Sequence, residues 1–118
     1  MGMKIYTHGV EVVVPGNRRR AARRFIKRRK RRIYLQREPD SGNDSAAIRV
    51  IGKSKGWFTE VQKCIGYVPA DITERLINGC MEDKVKARLQ MIAIEDRDSI
   101  DIRFNLLGPQ DDYERYHA

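Results

Sequence analysis

Residues 85–106 carry the strongest constraint on the fold. Val85, Ala87, Leu89, Met91 and Ala93 alternate with Lys86, Arg88 and Gln90. After Glu95-Asp96-Arg97-Asp98-Ser99 the pattern resumes, with Ile100, Ile102, Phe104 and Leu106 set against Asp101, Arg103 and Asn105. Successive side chains of a strand point to opposite faces. This spacing therefore predicts an antiparallel hairpin with one face buried and one wetted.

Further strands are predicted upstream. Ile5 to Val14 is rich in Val, Ile and Tyr with Gly9 near its middle, which suits a strand with a bend or bulge. Ile33 to Arg37 and Ala47 to Ile51 read as strands, and Lys53-Ser54-Lys55-Gly56 as a hairpin turn. The return strand begins near Trp57 and runs to Val68, where Pro69 stops it; in that alternation only one of Trp57 and Phe58 faces the core. Residues 38–45 read as a loop. Residues 71–78 read as a short helix opened by Asp71 and Glu74 and closed by Gly79, with Ile72, Leu76 and Ile77 inward. Residues 108–118 read as a polar C-terminal tail. About five or six short strands with two short helices make a mainly β fold in one domain over 1–107, either a small antiparallel barrel or a sandwich.

The segment from Asn17 to Arg32, NRRRAARRFIKRRKRR, holds eleven cations and no acid. The chain's net charge is +8, so everything outside this segment sums to −3 (+8 − 11). Pro15-Gly16-Asn17 ends the first strand, and Asn17 is a good helix cap. Ala21, Ala22, Phe25 and Ile26 then make one narrow apolar stripe, predicting a strongly basic helix inserted over 17–32. Its like charges repel, so it needs docking or an anion for full order. Solvated faces mix both signs and a localisation signal needs only charge. A wholly acid-free helix favours a polyanion, through phosphate neutralisation and counterion release. Arginine outnumbers lysine, which suits bidentate phosphate contacts.

Other function classes find little support. No apolar run approaches the roughly 18 residues of a membrane span. The N-terminus lacks a signal pattern, and Gly2 lacks the Ser or Thr of a myristoylation site, so a cytoplasmic protein without membrane contact is expected. Cys64 and Cys80 make neither a disulfide framework nor a metal spacing. His8 and His117 are isolated from other ligands. Glu38, Asp40 and Asp44 share one loop with no partner carboxylate elsewhere. With no nucleophile–base pair or phosphate-cradling glycine loop, no enzyme, metal or cofactor is expected.

The stretches LQREPDSGNDSAAIRV (35–50) and IGYVPADITERL (65–76) resemble the HIRAN domain. This is a small β-barrel module related to the OB-fold, found in chromatin-remodelling-type ATPases and in short bacterial and phage proteins. Gly9-Val10 matches the family's opening strand. The resemblance implies a barrel that binds single-stranded DNA, at a free 3′ end in the best-described member. Asp44 falls on the loop aspartate that accepts a hydrogen bond from the 3′-hydroxyl, and Tyr67 on a groove position held by histidine or tyrosine. Asn43, Ala46 and Glu11-Val12-Val13 depart from the family's loop aromatic, Asn and Arg-Tyr-Tyr. The basic segment is this chain's own addition.

The candidate contacts are therefore Arg18, Arg19, Arg20, Arg23, Arg24, Lys27, Arg28 and Arg31 on phosphates, with Arg37 beside them. Asp44 and Tyr67 line the implied groove, and Trp57 offers a stacking surface. Each also has a structural reading: a turn for Asp44, an ion pair with Glu38 for Arg37, packing for Tyr67 and Trp57. The expected function is non-catalytic nucleic-acid binding, to single-stranded DNA or DNA 3′ ends before RNA, within a larger DNA-processing complex. The alternatives are an RNA-binding protein, or an adaptor whose basic helix docks on an acidic protein.

Overall fold

The computed structural model describes residues 2–38, 47–81, 83–94 and 100–117. The chain runs through β1 (Met3–Glu11), a 3-10 turn at Gly16–Arg18, α1 (Arg19–Ile26), β2 (Arg29–Arg37), β3 (Ile48–Lys55) and β4 (Glu60–Tyr67). It continues through α2 (Ala70–Asn78), β5 (Lys86–Ile94), β6 (Ile100–Pro109), a second 3-10 turn at Gln110–Asp112 and α3 (Tyr113–Tyr116). The strands make two three-stranded sheets, β1-β6-β5 and β2-β3-β4, antiparallel throughout. Among the described residues no helix is long and apolar enough to cross a membrane.

The alternation that predicts the last hairpin holds in β6, where Ile102, Phe104 and Leu106 are wholly buried. In β5 it holds only to Leu89. Leu89 pairs with Phe104, but Met91, not Gln90, pairs with Arg103. One extra residue flips the pattern, so Met91 is exposed and Ile92 packs on the core. Gly9 lies against this bulge: it has φ +62°, and a Cβ there would stand 3.3 Å from Gln90 Oε1. Its N–H donates to Asn105 Oδ1 at 3.0 Å.

The two sheets join through residues 12 and 13. The Val12 N–H donates to Ile102 O, extending the β1–β6 ladder, while Val13 and Tyr67 exchange both backbone hydrogen bonds at 2.8 Å. Gly66 permits this crossing, since a Cβ there would lie 2.5 Å from Val13 O. On the other side β2 and β5 pack together without a ladder among the described residues. The fold is thus not a closed barrel. β2 buries only Ile33 and exposes Arg29 to Arg32.

The basic helix is shorter than its charge run. It ends at Ile26 because the apolar stripe ends there: the next positions on that face are Arg29 and Lys30. Arg31 turns back to donate from Nη1 to the Ile26 carbonyl at 2.5 Å, meeting one of the helix's unpaired C-terminal acceptors. Lys30 takes φ +51° at a bulge between Arg29 and Arg32, and the chain leaves as β2. Asn17 lies in the 3-10 turn, and α1 starts without a side-chain cap.

Residues 108–118 are not a loose tail. Gly108 and Pro109 complete β6, and Tyr116 is 2% exposed. Its ring stacks on Tyr6 at 4.9 Å and its hydroxyl lies 2.8 Å from Thr7 Oγ1. Tyr6 donates its hydroxyl to Pro109 O at 2.6 Å, and Lys4 sits 4.1 Å over the Tyr113 ring. Tyrosines three apart share one side of a helical turn, and here that side meets β1. Burial pushes the Tyr6 phenol above its usual 10.0, with Asp112 adding to it. A raised phenol pKa contributes stability that is complete below about pH 10 and is lost as pH climbs through the folded value. Tyr6→Phe should cost about 0.5–1.5 kcal/mol at neutral pH in urea unfolding. It should also lose less stability than wild type between neutral and strongly alkaline pH; parallel declines would contradict the assignment.

Candidate nucleic-acid interface

Ala22, Phe25 and Ile26 hold α1 to the body. Ala22 is wholly buried and Phe25 is 3% exposed. The Phe25 ring lies where β3 has no side chain: a Cβ on Gly52 would stand 2.8 Å from Phe25 Cδ1 and 2.9 Å from Ile65 Cγ2. This footing leaves Arg19, Arg20, Arg23 and Arg24 on the outer faces of the helix.

Two concave surfaces follow from it. One of about 440 Å³ is lined by Gly16, Arg19, Arg20, Arg23, Arg24 and Lys27. The next, about 470 Å³, is lined by Arg24, Lys27, Arg28, Arg29, Lys55, Gly56 and Trp57. Arg24 and Lys27 belong to both, so the surfaces form one band from the start of α1 to the tip of the β3–β4 hairpin. Among the described residues no acidic side chain lines either. Cations this close raise a strongly positive local potential, which a run of phosphates would neutralise.

The hairpin tip is displaced from its expected place. Lys55 pairs with Glu60, and the Gly56 N–H donates to Thr59 O at 2.9 Å, so the turn occupies 56–59. Glu60 holds that register, with Arg32 at 3.3 Å and Lys53 at 3.6 Å from its carboxylate. Neither aromatic faces the core. Trp57 is 95% and Phe58 94% exposed, with ring centroids 6.5 Å apart and planes at 46°. Gly56 lets Arg28 approach the tip, because a Cβ there would lie 3.0 Å from Arg28 Nη1.

The sequence-based candidates therefore divide. Arg24, Lys27, Arg28 and Trp57 converge on one concavity, and Arg19, Arg20 and Arg23 continue it along α1. Arg31 faces the Ile26 carbonyl instead. Arg18, Arg37 and Tyr67 lie at the opposite end of the β2-β3-β4 sheet, where Arg37 pairs with Ile48 and Arg49 with Tyr67. The Arg18 guanidinium lies beside the Tyr67 side chain, which raises its pKa, with smaller effects from Cys64 and Glu38. Tyr67 lines a groove of about 710 Å³ with Val13, Pro15, Val68 and the Thr73 and Ile77 side of α2. At ~3.3 Å per residue, β4 sets this groove roughly 23 Å from the hairpin tip. Asp44 lies outside the described residues. Arg29, Lys55 and Phe58, absent from the sequence-based candidates, complete the tip region. The signal for Lys55 and Phe58 was their place beside Gly56 and Trp57, once the turn is set three residues later.

Among the described residues no group of three or more His, Cys, Asp or Glu side chains is placed to hold a metal ion. Cys64 and Cys80 are free thiols. Comparison with protein-family models, with curated proteins and with solved structures finds no match to this chain.

Proposed function

We propose that this chain is a non-catalytic nucleic-acid-binding module that takes single-stranded DNA along α1 and the β3–β4 hairpin tip. One observation carries the reading: a concavity lined by Arg24, Lys27, Arg28, Arg29 and Lys55, with no acid among its described lining residues, opens beside an almost fully exposed tryptophan. Cations grip phosphates without regard to sequence, and exposed aromatics stack bases; the two together are the usual single-strand platform. The HIRAN-like reading of the fold, as an OB-related barrel with one open seam, belongs to the same proposal. So does recognition of a 3′ end by Asp44.

Fluorescence anisotropy against a short labelled strand, titrated with salt, tests it. If the five cations each meet a phosphate, the log–log salt slope on a single strand is about −3.5, from roughly −0.7 per contact. A free 3′ end preferred over a phosphate-blocked one, with the preference lost in Asp44→Ala, would establish end recognition. Structured RNA competing as well as DNA would favour the RNA-binding alternative. Binding to an acidic protein that persists at high salt, with no affinity for any strand, would replace this reading with the adaptor.

A further inference from the structure

We infer that this chain takes bases at the Trp57–Phe58 tip, not in the groove beside Tyr67, and that the tip holds two consecutive unstacked bases of one strand. The inference rests on the nucleic-acid reading above and adds where the bases go. Both rings stand almost wholly in solvent although the fold has a complete core in Phe104, Leu106, Ile65 and Leu76. Their positions are fixed by the Gly56–Thr59 turn at the end of a paired hairpin.

Arg28 and Lys55 flank the same turn, so a phosphate held there leaves its base within reach of a ring. The centroid spacing of 6.5 Å is the informative distance. Stacked bases on one strand rise ~3.4 Å per step, so bases seated on both rings cannot remain stacked on each other. A duplex keeps that stack and has no such step to offer. Rings at 46° to one another match two bases splayed apart rather than one sandwiched between parallel faces.

Tyr67 is less suited to stacking. It is half-buried, and its groove is walled by α2. An anionic lipid surface also accepts exposed Trp and Phe beside cations. The cations here line a concavity between the end of α1 and the tip, a shape that admits a strand better than a flat surface.

Trp57 is the chain's one tryptophan, so its emission reports on the tip. The full chain would be titrated with a thymidine strand of about eight nucleotides, within known single-strand site sizes. Parallel titrations use the same strand abasic throughout, a duplex of equal length and vesicles of anionic lipid. The thymidine strand should quench Trp57, and the abasic strand should bind by anisotropy with emission unchanged. Trp57→Ala and Phe58→Ala should each weaken binding of the labelled thymidine strand by roughly 5- to 150-fold, the range of one lost stack, at an unaltered salt slope. A strand that binds while emission stays constant and Phe58→Ala changes nothing would overturn the tip inference and leave nucleic-acid binding standing. Equal quenching by the duplex would overturn the unstacked-base geometry. Emission that responds to vesicles and not to any strand would assign the tip to lipid. Binding to no nucleic acid at all would overturn both readings.

Discussion

The double charge reversal Arg24→Glu with Arg28→Glu should lower affinity for a single strand by roughly 100- to 10,000-fold, from the loss of two charged hydrogen bonds at about 1.5–3 kcal/mol each. Arg24 sits where the two concavities meet, and Arg28 reaches the hairpin tip. Each substitution removes a phosphate contact and sets a like charge against the next one. Three of five cations would then remain at the tip, so the salt slope should shrink from about −3.5 to about −2.1 at ~0.7 per contact. Thermal stability should hold or rise, because both side chains belong to a run of like charges and neither is buried. That separation of binding from folding is the diagnostic result. Unchanged affinity with an unchanged slope would remove this band from the site. Arg31→Ala should behave oppositely: it frees the Ile26 carbonyl and costs about 0.5–1.5 kcal/mol of stability.

These contrasts show what the sequence can and cannot announce. The eleven cations are plain in any reading of residues 17–32, and the lack of acid among them already favours a polyanion. Which partners individual cations take is decided by the fold, near in sequence for Arg31 and distant for Arg32. Glu60 holds Arg32 and Lys53, and the end of α1 holds Arg31. The β5–β6 hairpin was legible because alternation is a local property of a half-buried strand. The bulge at Gln90 was not, because it answers Gly9 on another strand. Gly56 fits the last position of one turn and the first of another, and only the pairing of Lys55 with Glu60 decides between them. That three-residue displacement turns Trp57 and Phe58 from one core residue and one surface residue into a paired tip. Tyr113 and Tyr116 looked like part of a polar tail because their partner, Tyr6, lies at the other end of the chain.

The seat of α1 supplies the second large effect. Phe25→Ala should cost about 3–5 kcal/mol, the usual loss for a buried aromatic, against a total of roughly 5–15 kcal/mol for a domain. A helix of eight residues with no side-chain cap and clustered like charges has little intrinsic stability, so Ala22 and Phe25, with Ile26 packed beside them, carry its docking. Its release would scatter Arg19 to Lys27, and affinity for a strand should fall with stability. Gly52→Ala attacks the same contact from the sheet, since its new methyl would stand 2.8 Å from Phe25 Cδ1. Overpacking of this kind costs about 1–3 kcal/mol. The combination is the sharper test. With the ring gone, the Gly52→Ala methyl no longer clashes with it and occupies part of the space it leaves. Phe25→Ala with Gly52→Ala should therefore cost less than the two singles summed, by roughly 0.5–3 kcal/mol of coupling in urea unfolding. Additive losses would mean that the two residues do not share one contact, and that α1 is held some other way. A bound polyanion should offset part of the Phe25→Ala loss and raise its melting temperature with ligand concentration, because phosphates favour the docked array of cations over the scattered one.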